Sequence, residues 1–225
     1  MNIIKEKNMG NLVVISGPSG AGKDSIIENL KKINKNFWVS ISMTTRAPRT
    51  GEVDGKSYFF VSKEEFEDNI KKDNFLEYAT YNGEYYGTPK SKILDKLQQG
   101  IDVILEIEIQ GALKIKDILP ETLFIFILPP SMNELKKRLI NRKTDSKEKI
   151  ISRFKRAYQE INEVTKYNYV VINDDLDDAT NKVNSILVSE RLRVDRIEDL
   201  YLGNMEEELH ELLVEKDLEN NKLEF

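Results

Sequence analysis

The sequence predicts an α/β fold: a parallel sheet covered by helices on both faces, with an inserted mixed α/β lobe and a helical lid. Three observations carry that expectation. Short, evenly apolar runs alternate with helical patterns, the first run closes on a glycine-rich turn that ends in lysine, and one aromatic-rich stretch interrupts the alternation.

Asn11-Leu12-Val13-Val14-Ile15-Ser16 reads as the first strand, and apolar Ile26, Ile27, Leu30 and Ile33 recur at helical spacing from Ser25 onward. Further strands are predicted at 37–42, 57–61, 102–107, 123–128 and 169–172. Most are too uniformly apolar for a sheet with one wet face, so burial on both faces is expected. Helices are predicted between them at 89–99, 112–119, 131–142, 147–163 and 177–193. The stretch from Thr50 to Gly87, rich in Gly, Tyr and Phe around one helix at 63–72, reads as an insertion. One domain over 1–225 is expected, with a core at about 10–44, 88–130 and 161–193, an acceptor-binding lobe at about 45–87, a lid at about 131–160 and an acidic helical tail at about 194–225.

Composition narrows the chemistry. With 40% hydrophobic and 32% charged residues the chain has the balance of a folded globular protein, and 225 residues are enough for one substantial core. No apolar run approaches the ~20 residues of a membrane span, and Met1 to Met9 lacks the apolar centre of a secretory signal, so a cytoplasmic location without a membrane partner is expected. There is no cysteine, which excludes disulfides, thiol nucleophiles and Cys-ligated zinc. The one histidine, His210, lies in the acidic C-terminal stretch, so neither a Ser/His/Asp triad nor a histidine-rich metal site can be assembled. A net charge of −5 argues against nucleic acid as a partner. Oligomeric state is left open, a homo-oligomer included.

Gly17-Pro18-Ser19-Gly20-Ala21-Gly22-Lys23 lies between a predicted strand and a predicted helix, the context in which such a phosphate-loop pattern is specific. Glycines let backbone N–H groups turn toward a phosphate chain, the helix N-terminus adds positive potential, and Lys23 can reach the outer phosphates. Asp24 stands where the pattern usually has Ser or Thr to help hold Mg²⁺, and Ser25 follows it. Mg²⁺ is therefore expected as cofactor, held chiefly by nucleotide oxygens and water. Asp24 is a ligand in doubt, and Ser25 would serve an inner phosphate.

A second pattern runs from Thr44 to Phe60 through Arg46, Arg49, Glu52, Gly55 and Tyr58. It resembles the guanylate kinase signature at every fixed position, and the resemblance extends from about Leu12 to about Arg193 through Tyr86-Gly87-Thr88, Glu106-Ile107-Glu108-Ile109-Gln110-Gly111 and Val171-Ile172-Asn173-Asp174. The resemblance implies a P-loop nucleoside monophosphate kinase that moves the γ-phosphoryl group of ATP to GMP or dGMP. It also implies an ATP site at Gly17, Pro18, Ser19, Gly20, Ala21, Gly22, Lys23, Asp24, Ser25 and Asn173, and a GMP site at Ser42, Arg46, Arg49, Glu52, Tyr58, Glu77, Tyr86, Thr88 and Glu108.

Chemistry supports the acceptor reading independently. A phosphomonoester near its second pKa of ~6 calls for forked cations and hydroxyl donors, which Arg46, Arg49, Tyr58 and Tyr86 supply. Guanine offers N1–H and N2–H₂ as adjacent donors, which an ionised carboxylate such as Glu77 can accept together. Arg138 and Arg142, four apart on one predicted helix, and Arg153 on the next resemble the lid arginines of the family, whereas Arg156 reads as surface. Lys23, Arg46, Arg138, Arg142 and Arg153 are thus the expected catalytic groups, neutralising charge around a nucleophile that is already ionised. Two rival readings are a catalytically inactive protein-binding module of the same fold, which usually lacks the phosphate loop, and a P-loop kinase for another small acceptor.

Overall fold

A computed structural model describes residues 9–81, 83–141 and 147–193. Arg142 and the acidic tail therefore lie outside the described residues.

Strand β1 (Leu12–Ser16) is buried along its whole length because it has neighbours on both edges and helices on both faces. β7 (Asp102–Glu106) lies on one side and β8 (Leu123–Leu128) on the other, β2 (Phe37–Val39) flanks β7, and β9 (Tyr169–Ile172) flanks β8. All four pairings are parallel, in the order β2-β7-β1-β8-β9. Alternate residues of the apolar runs feed two cores. Val13, Ile15, Ile125 and Ile127 pack with Ile26 and Leu30 of α1 (Lys23–Ile33) and with Val183 and Leu187 of α7 (Leu176–Glu190). Val14, Leu105 and Phe124 face the other way, toward Ile93 and Leu97 of α3 (Lys90–Gln98) and Ile115 of α4 (Ile109–Ile118). Each fully buried Leu or Ile contributes about 1.5–3 kcal/mol over its exposed state, which is why these runs show no polar alternation.

The run expected at 37–42 is a strand only in its first half. Only Phe37–Val39 pairs with β7, after which β3 (Met43–Thr44) joins a second sheet with β4 (Phe59–Phe60), β5 (Phe75–Tyr81) and β6 (Glu84–Pro89), ordered β4-β3-β6-β5. β3 is parallel to β4, whereas β6 runs antiparallel to both β3 and β5. β4 is shorter than the sequence suggests because Asp54 accepts the Phe60 N–H and Gly55 donates to the Tyr58 carbonyl, so a turn takes the residues before it. Helix α2 (Lys63–Lys71), capped by Ser62, buries Phe66 between Phe75 at 4.5 Å and Tyr85 at 5.1 Å, which seats the helix on the lobe sheet.

Helices α5 (Met132–Asn141) and α6 (Lys147–Ile161), in the stretch expected as a lid, bury Leu135, Leu139 and Ala157 between them and lead into a 3-10 turn at Asn162–Lys166. Among the described residues, no helix is long and apolar enough to cross a membrane.

Candidate active site

The carboxyl ends of β1, β7 and β8 open onto one crevice, where loops of a parallel sheet place ligands. The loop after β1 carries Gly17 to Gly22 and runs into α1. Gly22 precedes the helix with φ 92°, and a Cβ there would stand 2.3 Å from Nδ2 of Asn173, so a side chain at 22 has neither the backbone conformation nor the space. Asn173 donates to the Ala21 carbonyl at 2.8 Å and thus braces the loop. No side chain caps α1, which leaves first-turn N–H groups for an anion. Pro18 and Gly20 are buried, Ser19 is half-buried and Ser25 is exposed; Leu135 and Leu139 of α5 pack over Gly20. Lys23 Nζ donates to the Gly17 carbonyl at 2.8 Å, so the ammonium lies across the mouth of its own loop.

Beside Lys23 two carboxyl groups meet. Glu106, the last residue of β7, is hydrogen-bonded to Asp24; burial first, and then Asp24, hold its carboxyl well above the usual carboxylate range. The sequence reading passed over Glu106. An acidic residue closing an otherwise apolar run, on a strand beside the loop strand, was the signal available.

The lobe brings Arg46, Glu52, Tyr58 and Tyr86 together. Arg46 forms a two-point ion pair with Glu52, Nη2 to Oε1 at 2.9 Å and Nη1 to Oε2 at 3.0 Å, and its guanidinium lies 5.4 Å from the Tyr58 ring. Tyr86 hydrogen-bonds to the same guanidinium, and the Tyr58 and Tyr86 rings meet edge to face at 6.0 Å. Burial, reinforced by the charge of Glu106, pushes the Tyr58 phenol up to about 12, so it remains an O–H donor at neutral pH. Among the charges that act on the Tyr58 phenol are Glu106, at the end of β7, and, more weakly, Asp24 in the first turn of α1. Arg49 is exposed, with its backbone N–H held by Glu52 at 2.6 Å, and Ser42 is half-buried at the entry to β3.

Glu77 projects from β5 and is buried, accepting from Thr88 Oγ1 at 2.7 Å. Burial raises its carboxyl above the usual range, while Thr88 and then Lys114 pull it back. Glu108, exposed at the start of α4, pairs with Arg156 Nη2 at 3.4 Å. Arg156 also holds Glu160 at 2.7 Å on its own helix, so the side chain expected at the surface links α6 to the start of α4. Glu160, raised chiefly by burial, also senses Glu108 and Lys23.

Arg138 donates to Glu134 at 3.1 Å and to the Asn173 carbonyl at 3.0 Å, and with Gly20, Gly22, Ser25 and Asp174 it bounds a 300 Å³ cleft beside the loop. Arg153 is half-buried on α6, three residues from Arg156. Arg142 lies outside the described residues.

Comparison with known proteins points the same way. The family model described as guanylate kinase matches residues 9–190. The guanylate kinase of Clostridium tetani is 58% identical over 204 residues, covering 91% of this chain and 98% of that protein. The guanylate kinase of Clostridioides difficile is 48% identical over 200 residues, covering 89% and 98%. Among solved structures, the guanylate kinase of Anaplasma phagocytophilum superposes with a TM-score of 0.71 at 32% identity, covering 84% of this chain and 90% of that one.

Proposed function

The chain belongs to the guanylate kinase family and is a nucleoside monophosphate kinase, and from that premise we propose that it transfers the γ-phosphoryl group of ATP to GMP or dGMP through the residues described above. The observation that carries this reading is the presence in one fold of two anion cradles, the amide-lined loop with Lys23 and the lobe cluster of Arg46, Tyr58 and Tyr86.

ATP lies with its phosphates in the Gly17–Lys23 loop and its nucleoside toward the cleft of Gly22, Arg138 and Asn173. GMP places its phosphate at Arg46, Arg49, Tyr58 and Tyr86. Its base meets Glu77, whose ionised carboxylate accepts N1–H and N2–H₂ while Thr88 holds one of its oxygens. Adenine presents no such donor pair and leaves the buried acceptor unsatisfied, at a cost of about 1–3 kcal/mol.

The donor set suits Mg²⁺. Asp24 and Glu106 are hard oxygen donors brought together next to Lys23, and Mg²⁺ held there would favour the ionised form of the buried Glu106 carboxyl. Mg²⁺ bound there with ATP supplies charge neutralisation on the phosphate oxygens. Lys23 leaves the Gly17 carbonyl to take the outer phosphates, and Arg138 and Arg153 approach from the lid helices. The attacking GMP oxygen is already ionised, so no general base is needed, and exclusion of water from the closed cleft protects ATP from hydrolysis. The lobe at about 45–87 and the lid at about 131–160 are the parts that move, and the reaction takes place in the cytoplasm.

The test is ADP release measured with GMP, dGMP, AMP, UMP and no acceptor. The reading expects release with GMP and dGMP alone. Release independent of a guanine nucleotide refutes it.

A further inference from the structure

The guanidinium of Arg46 has five N–H donors, and the structure accounts for three of them. Glu52 takes one from each Nη, its two oxygens at 2.9 and 3.0 Å, and the Ala47 carbonyl takes a second from Nη1 at 2.6 Å. The opposite edge of the fork carries Nε–H and the outer Nη2–H. Nε is buried without a hydrogen-bond partner among the described residues, and Tyr86 hydrogen-bonds to the same guanidinium, so a phosphate arriving at this edge shares it with the Tyr86 phenol. The Arg46 side chain is only 15% exposed, and its guanidinium lies over the adjoining Tyr58 and Phe60 rings at 5.4 and 5.8 Å, which line one side of the fork. Glu52 also accepts the Arg49 N–H at 2.6 Å, and its own N–H donates to the Arg49 carbonyl at 3.0 Å. One carboxylate thus sets the position of both arginine segments of the phosphate cradle.

We propose that Glu52 is a positioning residue that does not touch the acceptor nucleotide: it clamps the end of the Arg46 fork so that the Nε–Nη2 edge receives the phosphate, and it holds the turn that presents Arg49. The inference rests on the GMP reading of the lobe. It sets two effects of opposite sign against each other. As a bare negative charge beside a dianion, Glu52 weakens phosphate binding, and its removal should tighten it. As a clamp, its removal frees the fork to turn and to pair in other ways, which weakens binding.

Calorimetry on the full chain with GMP and with guanosine, which lacks the phosphate, separates these effects for Glu52→Gln, Glu52→Ala and Glu52→Asp. The clamp predicts that Glu52→Gln and Glu52→Ala raise the Kd for GMP about tenfold, one strong charged hydrogen bond's worth, with the Kd for guanosine unchanged. Glu52→Asp, which keeps the charge on a shorter arm, should fall between. In steady state the same variants should raise KM for GMP more than they lower kcat. Unchanged or tighter GMP binding overturns the proposal. Equal loss of GMP and guanosine in all three variants overturns it too, because Glu52 would then hold the lobe rather than the fork. Wild-type protein that fails to bind GMP would instead remove the acceptor reading beneath it.

Discussion

Gly111 offers a sharp test of how base recognition is built. It is the third residue of α4, and a Cβ placed on it would stand 2.8 Å from Glu77 Oε2 and 3.2 Å from Cδ, below the ~3.5 Å at which carbon contacts become comfortable. Gly111→Ala therefore requires roughly 0.5 Å of movement, either of α4 or of the carboxylate. Two effects compete. Alanine in a helix is about 1 kcal/mol better than glycine, and overpacking costs about 1–3 kcal/mol. The carboxylate is the softer partner, so it moves and takes its 2.7 Å bond from Thr88 with it, which spoils its alignment with the guanine donors. A hydrogen bond to a charged acceptor contributes about 1.5–3 kcal/mol, so losing one from the base should lower kcat/KM for GMP about 10- to 150-fold. Global stability should change little, because the propensity gain offsets much of the crowding. The assay is steady-state kinetics with GMP, alongside binding of a non-hydrolysable ATP analogue and a thermal melt. The ATP analogue should bind as before, and the melting temperature should stay within a few degrees, about 1 kcal/mol. An unchanged kcat/KM for GMP in a well-folded Gly111→Ala protein would refute the idea that α4 holds Glu77 in its reading position.

Three further outcomes follow from the same geometry. Lys23→Met should lower turnover about a thousandfold while leaving GMP binding within about twofold, as judged by kcat and by calorimetry; retained turnover would remove the loop lysine from the reaction. Burial raises the Glu77 carboxyl, and only its ionised form accepts from guanine, so guanosine affinity should fall with decreasing pH starting above the ~4.3 of an ordinary glutamate. The same shift makes the folded state the tighter proton binder, so this group's contribution to stability falls as pH rises from the ordinary value to the raised one. Glu77→Gln should abolish the pH dependence and the preference for GMP over AMP; a Gln variant that still titrates would mean that another group reads the base. Arg156→Ala, which leaves Glu108 and Glu160 without their shared partner, should raise KM for GMP about two- to fivefold, because the pair is partly exposed; an unchanged KM would return Arg156 to the surface role the sequence suggested.

What could be read along the chain and what could not divides along a physical line. The layered fold was legible because burial on both faces of a parallel strand demands apolar residues without alternation, and Leu12 to Ile15 and Leu123 to Leu128 meet that demand locally. The phosphate loop was legible for a related reason: amide groups converging on an anion need glycines at fixed spacing, followed by a helix start and a lysine, all within one continuous segment. The lobe's aromatic and arginine pattern was likewise compact enough to resemble a family.

Other features depend on residues far apart in the chain, and no periodicity carries them. The run at 37–42 was expected as one strand but ends at Val39, because β7 pairs only its first half, and the chain enters the second sheet at Met43. Glu106 acquires its character from burial and then from Asp24, 82 positions earlier, and Arg156 meets Glu108 across 48 positions. Glu52 and Arg46 are six residues apart, yet only the tertiary structure shows which edge of the guanidinium is occupied and which is left. Sequence by itself determined the types of chemical group available and the segments that cradle anions. The burial that raises a carboxyl, the donor a carboxylate consumes and the glycine that makes room for it belong to the folded chain, because each is set by distances between elements rather than by spacing within one.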